Sequence, residues 1–106
     1  MKIFKYALET KDIQTVELPR GARILTVKKQ YGKLCLWAEV SETVEDTYEA
    51  EIRVIGTGNP IKIDLDKFNH IDTVVTDMYV WHIYICGRDL RDSFYLKNEG
   101  RSFEGQ

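Results

Sequence analysis

The stretch that decides the fold is Tyr-Val-Trp-His-Ile-Tyr-Ile-Cys, residues 79–86. Both alternating sets of positions in it are apolar or aromatic, apart from His82. A strand that is apolar on both faces is typical of the middle of a sheet, so the stretch predicts a central β-strand. Residues 71–75 alternate in a similar way, and Thr76-Asp77-Met78 separates the two runs. Together they predict a β-hairpin.

Upstream of the hairpin, period-2 alternation recurs in short runs that turn residues separate. Leu34, Leu36, Ala38 and Val40 form an uninterrupted apolar face in one of them. The runs predicted as strands are 4–9, 14–18, 22–30, 33–41 and 49–54, with a further short strand at 61–65. Seven to eight short strands predict a mostly-β fold, either a small antiparallel sandwich or a partly closed barrel.

The chain of 106 residues has the usual size of one domain. A β-rich domain is predicted at residues 1–87 and a C-terminal extension at residues 88–106. In the extension, Asp89 has N-cap character, and Gly100 follows Lys97 as a helix stop. The extension therefore predicts a short C-terminal helix followed by a tail.

Composition excludes several classes of partner. With 17 acidic and 15 basic side chains the net charge is −2, which argues against bulk binding of nucleic acid or of anionic membrane. No run approaches the roughly 20 apolar residues of a membrane span. Residues 1–6 lack the apolar core of a signal peptide. Two cysteines in apolar runs are typical of a reduced setting, so we expect a cytoplasmic location.

Catalytic and metal-binding patterns are weak. His70, His82, Cys35 and Cys86 show none of the spacings of a zinc site. His82 and Cys86 share a strand face, but four residues at about 3.3 Å each place them about 13 Å apart. Nucleophilic catalysis would need Cys35 beside His82, yet a buried thiol is inert. Asp64 flanks a predicted turn and is expected to be solvated. We therefore expect no enzyme, no cofactor and no metal.

The loop Gly56-Thr57-Gly58-Asn59-Pro60 is a candidate anion site. Two glycines allow successive backbone N–H groups to point into one concavity, and Arg53 and Lys62 flank the loop. No helix is predicted after Pro60, so the loop is neither a Walker nor a Rossmann motif. The alternative is an ordinary turn whose glycines adopt positive φ.

Charge is segregated along the chain. Residues 20–38 hold basic side chains and no acidic one, and residues 39–51 hold acidic side chains and no basic one. The basic residues are Arg20, Arg23, Lys28, Lys29 and Lys33. One interpretation is that opposite charges face each other across paired strands. The other is that Arg23 and Lys28 bind a phosphate-bearing ligand while the acidic segment contacts a partner.

Aromatic residues in the most apolar runs suggest an interface. Trp37, Trp81 and Tyr84 are predicted at a contact between subunits, because the chain is too short to cover both faces of its central strands. Alternatives for the two tryptophans are core packing or a platform on which a base stacks. We expect a homo-oligomer.

Five short segments carry a family resemblance. They are Asp12-Ile13-Gln14-Thr15-Val16, Leu18-Pro19-Arg20-Gly21-Ala22, Cys35-Leu36-Trp37-Ala38, Gly56-Thr57-Gly58 and Val80-Trp81-His82. In order and spacing they resemble a family of small uncharacterised bacteriophage and prophage proteins over residues 2–84. The resemblance implies a phage origin and a β-rich fold, and it implies no catalytic residue. One departure is Asn59, where the proteins that this chain resembles commonly have His.

Three functional hypotheses follow. The first is a non-catalytic phage accessory protein in the host bacterial cytoplasm, which antagonises host defence by sequestering an anionic, nucleotide-type signal. The second is a protein–protein interaction module that docks on a host or phage protein, such as a host defence protein, through the acidic segment or the tail. The third is a small hydrolase or nucleotide-modifying enzyme that uses Cys35, His82 or Asp64.

Overall fold

The computed structural model describes residues 1–86, which form seven β-strands and one short 3₁₀ turn. The C-terminal extension, with its predicted helix, lies outside the described residues. The strands are β1 (Lys2–Ala7), β2 (Ile13–Pro19), β3 (Arg23–Gln30), β4 (Lys33–Val40), β5 (Thr47–Gly56), β6 (Asn69–Val75) and β7 (Val80–Cys86). No helix of the described residues is long and apolar enough to cross a membrane.

The strands make two antiparallel sheets that pack face to face. One sheet has three strands in the order β1-β4-β3, and the other has four in the order β2-β5-β7-β6. The sheets do not close into a barrel. The predicted mostly-β sandwich is therefore confirmed, and so is the central position of β7 and its hairpin with β6.

Alternation along each strand separates a core face from an outer face. Leu36 and Ala38 of β4 pack with Ile52 of β5 and Ile83 and Ile85 of β7, and all five side chains are fully buried. The apolar face predicted for β4 is thus confirmed as core. We use the term outer face for the side of the four-stranded sheet that points away from this core.

Between β5 and β6 the chain crosses the outer face. β5 and β6 both pair antiparallel with β7, so they run parallel to each other. A parallel connection has to carry the chain back to the opposite end of the sheet. Residues 57–68 make this crossover on the outer face, where Thr57 is hydrogen-bonded to His82 and Phe68 lies beside Arg53.

The strand predicted at residues 61–65 is wrong, since these residues belong to the crossover. The regular structure of the crossover is the 3₁₀ turn Leu65–Lys67, where the Asp64 side chain accepts a hydrogen bond from the Asp66 N–H at 3.0 Å. Both edges of the adjoining strand β5 are already paired, one with β2 and the other with β7. The alternating apolar residues 61–65 therefore have no ladder to join beside β5.

One carboxylate joins the two sheets where β3 passes β6. Asp72 Oδ2 accepts hydrogen bonds from the Thr26 hydroxyl at 2.6 Å and from the Val27 N–H at 3.0 Å. Asp72 Oδ1 accepts a third from the Thr73 N–H at 2.9 Å, and Lys28 Nζ lies 3.8 Å from Oδ2. Because β3 and β6 belong to different sheets, these contacts stabilise the sandwich across its junction.

The contacts of Asp72 also set its ionisation. Burial raises the pKa of this carboxyl group, but the hydrogen bonds from Thr26 and Val27, the Lys28 charge and the Thr73 N–H together outweigh it. The net result is a pKa below the ordinary value for aspartate. The folded state therefore holds Asp72 as an anion, which is the form that accepts all three hydrogen bonds.

We expect acid to weaken the sheet junction. A carboxyl group whose pKa is lower in the folded state contributes stability that is fully present above its unfolded value of about 3.9 and is lost as pH falls through the folded value. Asp72→Asn should lower the free energy of unfolding at neutral pH by about 2 kcal/mol, the scale of hydrogen bonds to a charged group. Urea unfolding from neutral pH down to about pH 3 measures both effects.

Glu45→Gln is a matched control, because Glu45 is an exposed carboxylate in the β4–β5 connection. It should leave the free energy of unfolding unchanged at neutral pH. Equal acid sensitivity in the wild-type chain and in Asp72→Asn would contradict the assignment to Asp72.

Candidate functional site

A groove runs along β5 beneath the first half of the crossover. It holds about 280 Å³ and is lined by Asp12, Arg53, Val54, Ile55, Asn59, Pro60, Ile61, Lys62 and Ile63. Three of the predicted ligand-binding residues, Arg53, Asn59 and Lys62, therefore lie along one groove. They come from a strand and from two points of the crossover, and the parallel β5–β6 connection brings them together.

The position of Arg53 is fixed from two sides. Its Nε donates to Glu51 Oε2 at 2.7 Å, and its guanidinium carbon lies 5.8 Å from the centre of the Phe68 ring. Such a cation–aromatic contact adds to the hydrogen bond in holding the side chain. Lys62 lies on the exposed part of the crossover. The groove thus combines one fixed guanidinium group with one exposed ammonium group.

The glycine loop at residues 56–60 uses two of its backbone N–H groups inside the chain. The Thr57 N–H donates to the Val80 carbonyl at 3.1 Å, and the Asn59 N–H donates to the Gly56 carbonyl at 3.1 Å. Gly58 has φ 89°, a backbone conformation that favours glycine. The loop is thus built as a tight turn, and the Thr57 and Asn59 N–H groups do not face a common concavity as donors to an anion.

Gly56 has a different role, which is close approach. A Cβ atom at this position would lie 2.9 Å from Asn59 Nδ2 and 3.3 Å from Trp81 Cζ3. Glycine is favoured here because a Cβ atom would crowd the Trp81 ring and the end of the Asn59 side chain. This contact fixes the start of the crossover and, with it, Asn59 on the groove wall.

Arg23 and Lys28 do not reach the groove, because they lie on β3 of the three-stranded sheet. Arg23 Nε lies 3.6 Å from Glu39 Oε1 across the β3–β4 ladder, and Lys28 Nζ lies 3.8 Å from Asp72. The prediction that opposite charges face each other thus describes the Arg23–Glu39 pair. Glu49 of the acidic segment is an exception, because on β5 it stands directly opposite Glu17 of β2.

Beside the groove, the outer face carries a chain of hydrogen bonds between two histidines and two threonines. Nε2 of His82 is 2.7 Å from the Thr57 hydroxyl oxygen, and its Nδ1 is 3.1 Å from the Thr73 hydroxyl oxygen. Nε2 of His70 is 2.8 Å from the same Thr73 oxygen. We call these four residues the histidine cluster. Tyr84 flanks it, with its ring edge-on to His70 at 5.2 Å between centroids.

Sequence reasoning considered His70 and His82 as metal ligands, and His82 also as the partner of a catalytic cysteine, and missed their link through Thr73. The sequence did contain a signal for one part of this link, the contact between Thr73 and His82. In the β6–β7 hairpin, Val75 pairs with Val80, so Thr73 falls opposite His82. What the sequence does not reveal is that His70, three residues before Thr73, points to the same face.

The alternatives that involve Cys35 find no support in the geometry. Cys35 is buried on β4 of the three-stranded sheet, whereas His82 lies on β7 of the other sheet. A catalytic pair across neighbouring strands is therefore not formed. Among residues 1–86, no group of three His, Cys, Asp or Glu side chains is placed to hold a metal ion.

The three predicted interface residues lie in different places. Trp81 packs against the core and stacks on Tyr79 with ring centroids 5.2 Å apart. Trp37 is half-buried on the side of β4 that faces away from the core, and Tyr84 is half-buried on the outer face. Trp81 thus contributes to folding, and the two remaining aromatics stand on opposite faces of the sandwich.

Gly56→Ala should destabilise the fold and displace the groove wall. The new methyl group meets an indole ring that the core holds in place, so we expect a loss of about 1–2 kcal/mol in the free energy of unfolding. The double variant Gly56→Ala/Asn59→Ala removes the closer contact and should recover part of this loss. Chemical denaturation of both variants and of Asn59→Ala measures the coupling; a Gly56→Ala chain as stable as wild type would contradict the close-packing role.

No curated protein and no solved structure matches the chain. Residues 1–89 match a protein family described as Domain of unknown function (DUF7352). The match takes in all seven strands, the groove and the histidine cluster. The chain therefore belongs to the DUF7352 family.

Proposed function

We propose that this domain binds a small anionic ligand of the nucleotide type in the groove beside β5 and leaves it chemically unchanged. The observation that carries the proposal is the meeting of Arg53, Asn59 and Lys62 along one groove. Two cationic groups and an amide that line the same concave surface are what an anionic ligand requires.

The remaining lining supports a ligand with both a charged and an apolar part. Ile55, Pro60 and Ile61 supply apolar surface against which a ring can pack. Asp12 is the one acidic side chain in the lining and Glu51, outside the lining, is paired with Arg53, so Lys62 supplies the main attraction for an anion. Arg53 is already held by Glu51 and Phe68, so binding loses little of its side-chain entropy.

Two described carboxyl groups, Glu9 and Asp72, are poorly suited to act as a general acid near neutral pH. A general acid near neutral pH needs a raised pKa. The hydrogen bond and charge of Lys11 lower the pKa of Glu9, and Asp72 also has a lowered pKa as it joins the two sheets. Cys35, the buried thiol, lies away from the groove.

The phage resemblance suggests a setting for such a binder. A small protein that captures a nucleotide-type signal of the host lowers its free concentration without any turnover. In this proposal the chain acts in the cytoplasm of the host bacterium as a homo-oligomer. Defence antagonism by sequestration is then a matter of affinity and of protein concentration.

Lys62→Ala should weaken the binding of a nucleotide about tenfold, the scale of one charge-assisted hydrogen bond. Calorimetric titration of the full chain with a panel of linear and cyclic nucleotides measures the affinity. Chromatography of the ligand after incubation should return it intact. The matched control is Lys2→Ala, since Lys2 is an exposed lysine on β1 of the other sheet, 3.7 Å from Glu42.

Equal nucleotide affinity in Lys62→Ala and wild type would exclude the groove as the binding site. Conversion of the nucleotide to a product would contradict the non-catalytic role. Binding that Lys2→Ala weakens as much as Lys62→Ala would mean that net charge, and not the groove, sets the affinity.

A second candidate function, docking on a basic protein surface, is favoured by the pairing of Glu17 with Glu49. The two carboxylates stand directly opposite each other on exposed positions of β2 and β5. Like charges at directly opposite positions destabilise a sheet. A basic partner that covers this pair would relieve the repulsion.

Glu49→Lys should raise the free energy of unfolding by about 0.5 kcal/mol, because it replaces a like-charge pair with an opposite-charge pair. Thermal or urea unfolding at low ionic strength measures the gain, which added salt should reduce. Glu45→Lys changes the net charge equally without facing Glu17 and is the control. An equal gain in both variants would show that net charge, not the pair, is responsible.

A further inference from the structure

Strand β1 leaves one edge of the three-stranded sheet open. Next to the strand, the Leu8 N–H donates to the Leu34 carbonyl at 2.8 Å. Backbone groups alternate in direction along a strand, so Phe4 also directs its N–H and C=O toward β4. Ile3 and Lys5 direct theirs the other way. No strand of residues 1–86 lies on that side, because β1 is the last strand of its sheet.

The other edge strands, β3, β6 and β2, are each protected against further pairing. The Val27 N–H of β3 donates to the Asp72 carboxylate. The register of β6 shifts between His70 and Asp72, and such an irregularity disfavours the addition of a strand. β2 ends at Pro19, which has no N–H to donate. β1 has a continuous register and no proline, so its edge is able to accept a partner strand.

Apolar side chains are exposed on both faces of β1. Phe4 pairs with the fully buried Ala38, so its side chain lies on the core side of the sheet, yet it is 44% exposed. Ile3 points to the opposite side and is 59% exposed. The four-stranded sheet thus covers β4 but leaves Phe4 in β1 partly uncovered. An open edge with exposed apolar side chains is a surface for pairing with another strand.

The two lysines of β1 select one register for pairing with a second β1. In an antiparallel pair with its twofold axis at Phe4, Lys2 stands opposite Tyr6 and Lys5 stands opposite Ile3. An axis at Lys5 would place two lysines directly opposite each other, which destabilises a sheet. An axis at Ile3 would leave the end of β1 without a partner. The register at Phe4 therefore pairs the whole strand and keeps like charges apart.

We propose that β1 pairs antiparallel with β1 of a second copy of this chain, with the twofold axis at Phe4. The two three-stranded sheets then join into one sheet of six strands. Ile3 of each copy exchanges both backbone hydrogen bonds with Lys5 of the other. The two Phe4 residues form the non-hydrogen-bonded pair between them, where side chains lie closer and aromatic rings cover each other.

The inference rests on the proposed function in one respect, which is the homo-oligomer. It gives that oligomer a contact surface and a symmetry. The groove lies along β5 of the other sheet, so its ligand binding does not depend on the pairing of β1. The two proposals can therefore fail separately.

Phe4→Cys should link the two copies by a disulfide under mild oxidation. Opposite residues of a non-hydrogen-bonded pair have Cα atoms about 4.5 Å apart, within the range that a disulfide spans. Lys2→Cys is the matched control on the same face. Its two thiols would be about 13 Å apart along the strand, too far to join. Electrophoresis without reductant measures the linked dimer, and the wild-type chain reports on Cys35 and Cys86.

Ile3→Lys should raise the dissociation constant of the dimer about tenfold, because the new charge faces Lys5 of the other copy. Within its own chain it stands opposite Glu39, so the thermal unfolding midpoint should not fall. The double variant Ile3→Lys/Lys5→Glu replaces the like pair with an opposite pair and should bind within about twofold of wild type. Val75→Lys adds the same charge at an exposed position of β6 and is the control. Analytical ultracentrifugation of the full chains measures each constant.

The outcomes decide between the surfaces. A wild-type chain that sediments as a monomer at high concentration, or a Phe4→Cys chain that stays unlinked, would overturn the pairing of β1. Equal weakening by Ile3→Lys and Val75→Lys would assign the effect to net charge and would also overturn it. A monomer whose nucleotide binding depends on Lys62 would overturn the interface and leave the groove. A dimer with no affinity for nucleotides would support the interface and overturn the groove.

Discussion

The hydrogen bonds of Asp72 are the constraint on which the sandwich depends. Its carboxylate links β6 of one sheet to Thr26 and Val27 of β3 in the other. Both strands are irregular at this contact, because the pairing register shifts between Ile24 and Thr26 and again between His70 and Asp72. A β-bulge turns a side chain and a backbone group away from their regular ladder directions. The two bulges thus supply the donors and the acceptor that join the sheets.

The same bulge in β6 creates the histidine cluster. In a regular strand, residues three apart point to opposite faces. The shift between His70 and Asp72 changes this phase, so His70 and Thr73 both stand on the outer face while Ile71 and Val74 remain in the core. The bulge in β6 therefore also brings the His70 ring to the Thr73 hydroxyl group, which lies opposite His82. The junction of the sheets and the histidine cluster depend on the same irregularity.

Sequence patterns predicted what strict alternation determines. The core face of β4 and the hairpin at Thr76-Asp77-Met78 follow from residues that keep a period of two, and the central position of β7 follows from apolar residues on both of its faces. The phase changes at the bulges break that period, and no residue type marks them, so the approach of His70 to Thr73 was not predictable. The strand predicted at 61–65 failed for another reason, because alternation does not show whether a neighbouring strand has an edge to offer.

Ile61 shows how that failed prediction bears on function. Its side chain is 55% exposed and lies on the groove wall with Ile63, so the alternation read as a strand marks apolar surface that faces the groove. The candidate residues were predicted as a group because Arg53 and Lys62 flank the glycine loop. The glycine loop is not what holds these residues together, since its Thr57 and Asn59 N–H groups donate to carbonyl groups of the chain itself. What brings Arg53, Asn59 and Lys62 together is the parallel crossover, which no local motif encodes.

Asn59 is an uncharged member of the groove lining. Its side chain packs against Gly56 and lines the groove. An amide has donors and an acceptor but no charge, so the cationic groups of the groove are Arg53 and Lys62. Histidines then stand on this face only at the cluster on β6 and β7, within the described residues. Neither histidine lines the groove, so ligand binding there, as proposed, relies on Arg53, Lys62 and the Asn59 amide.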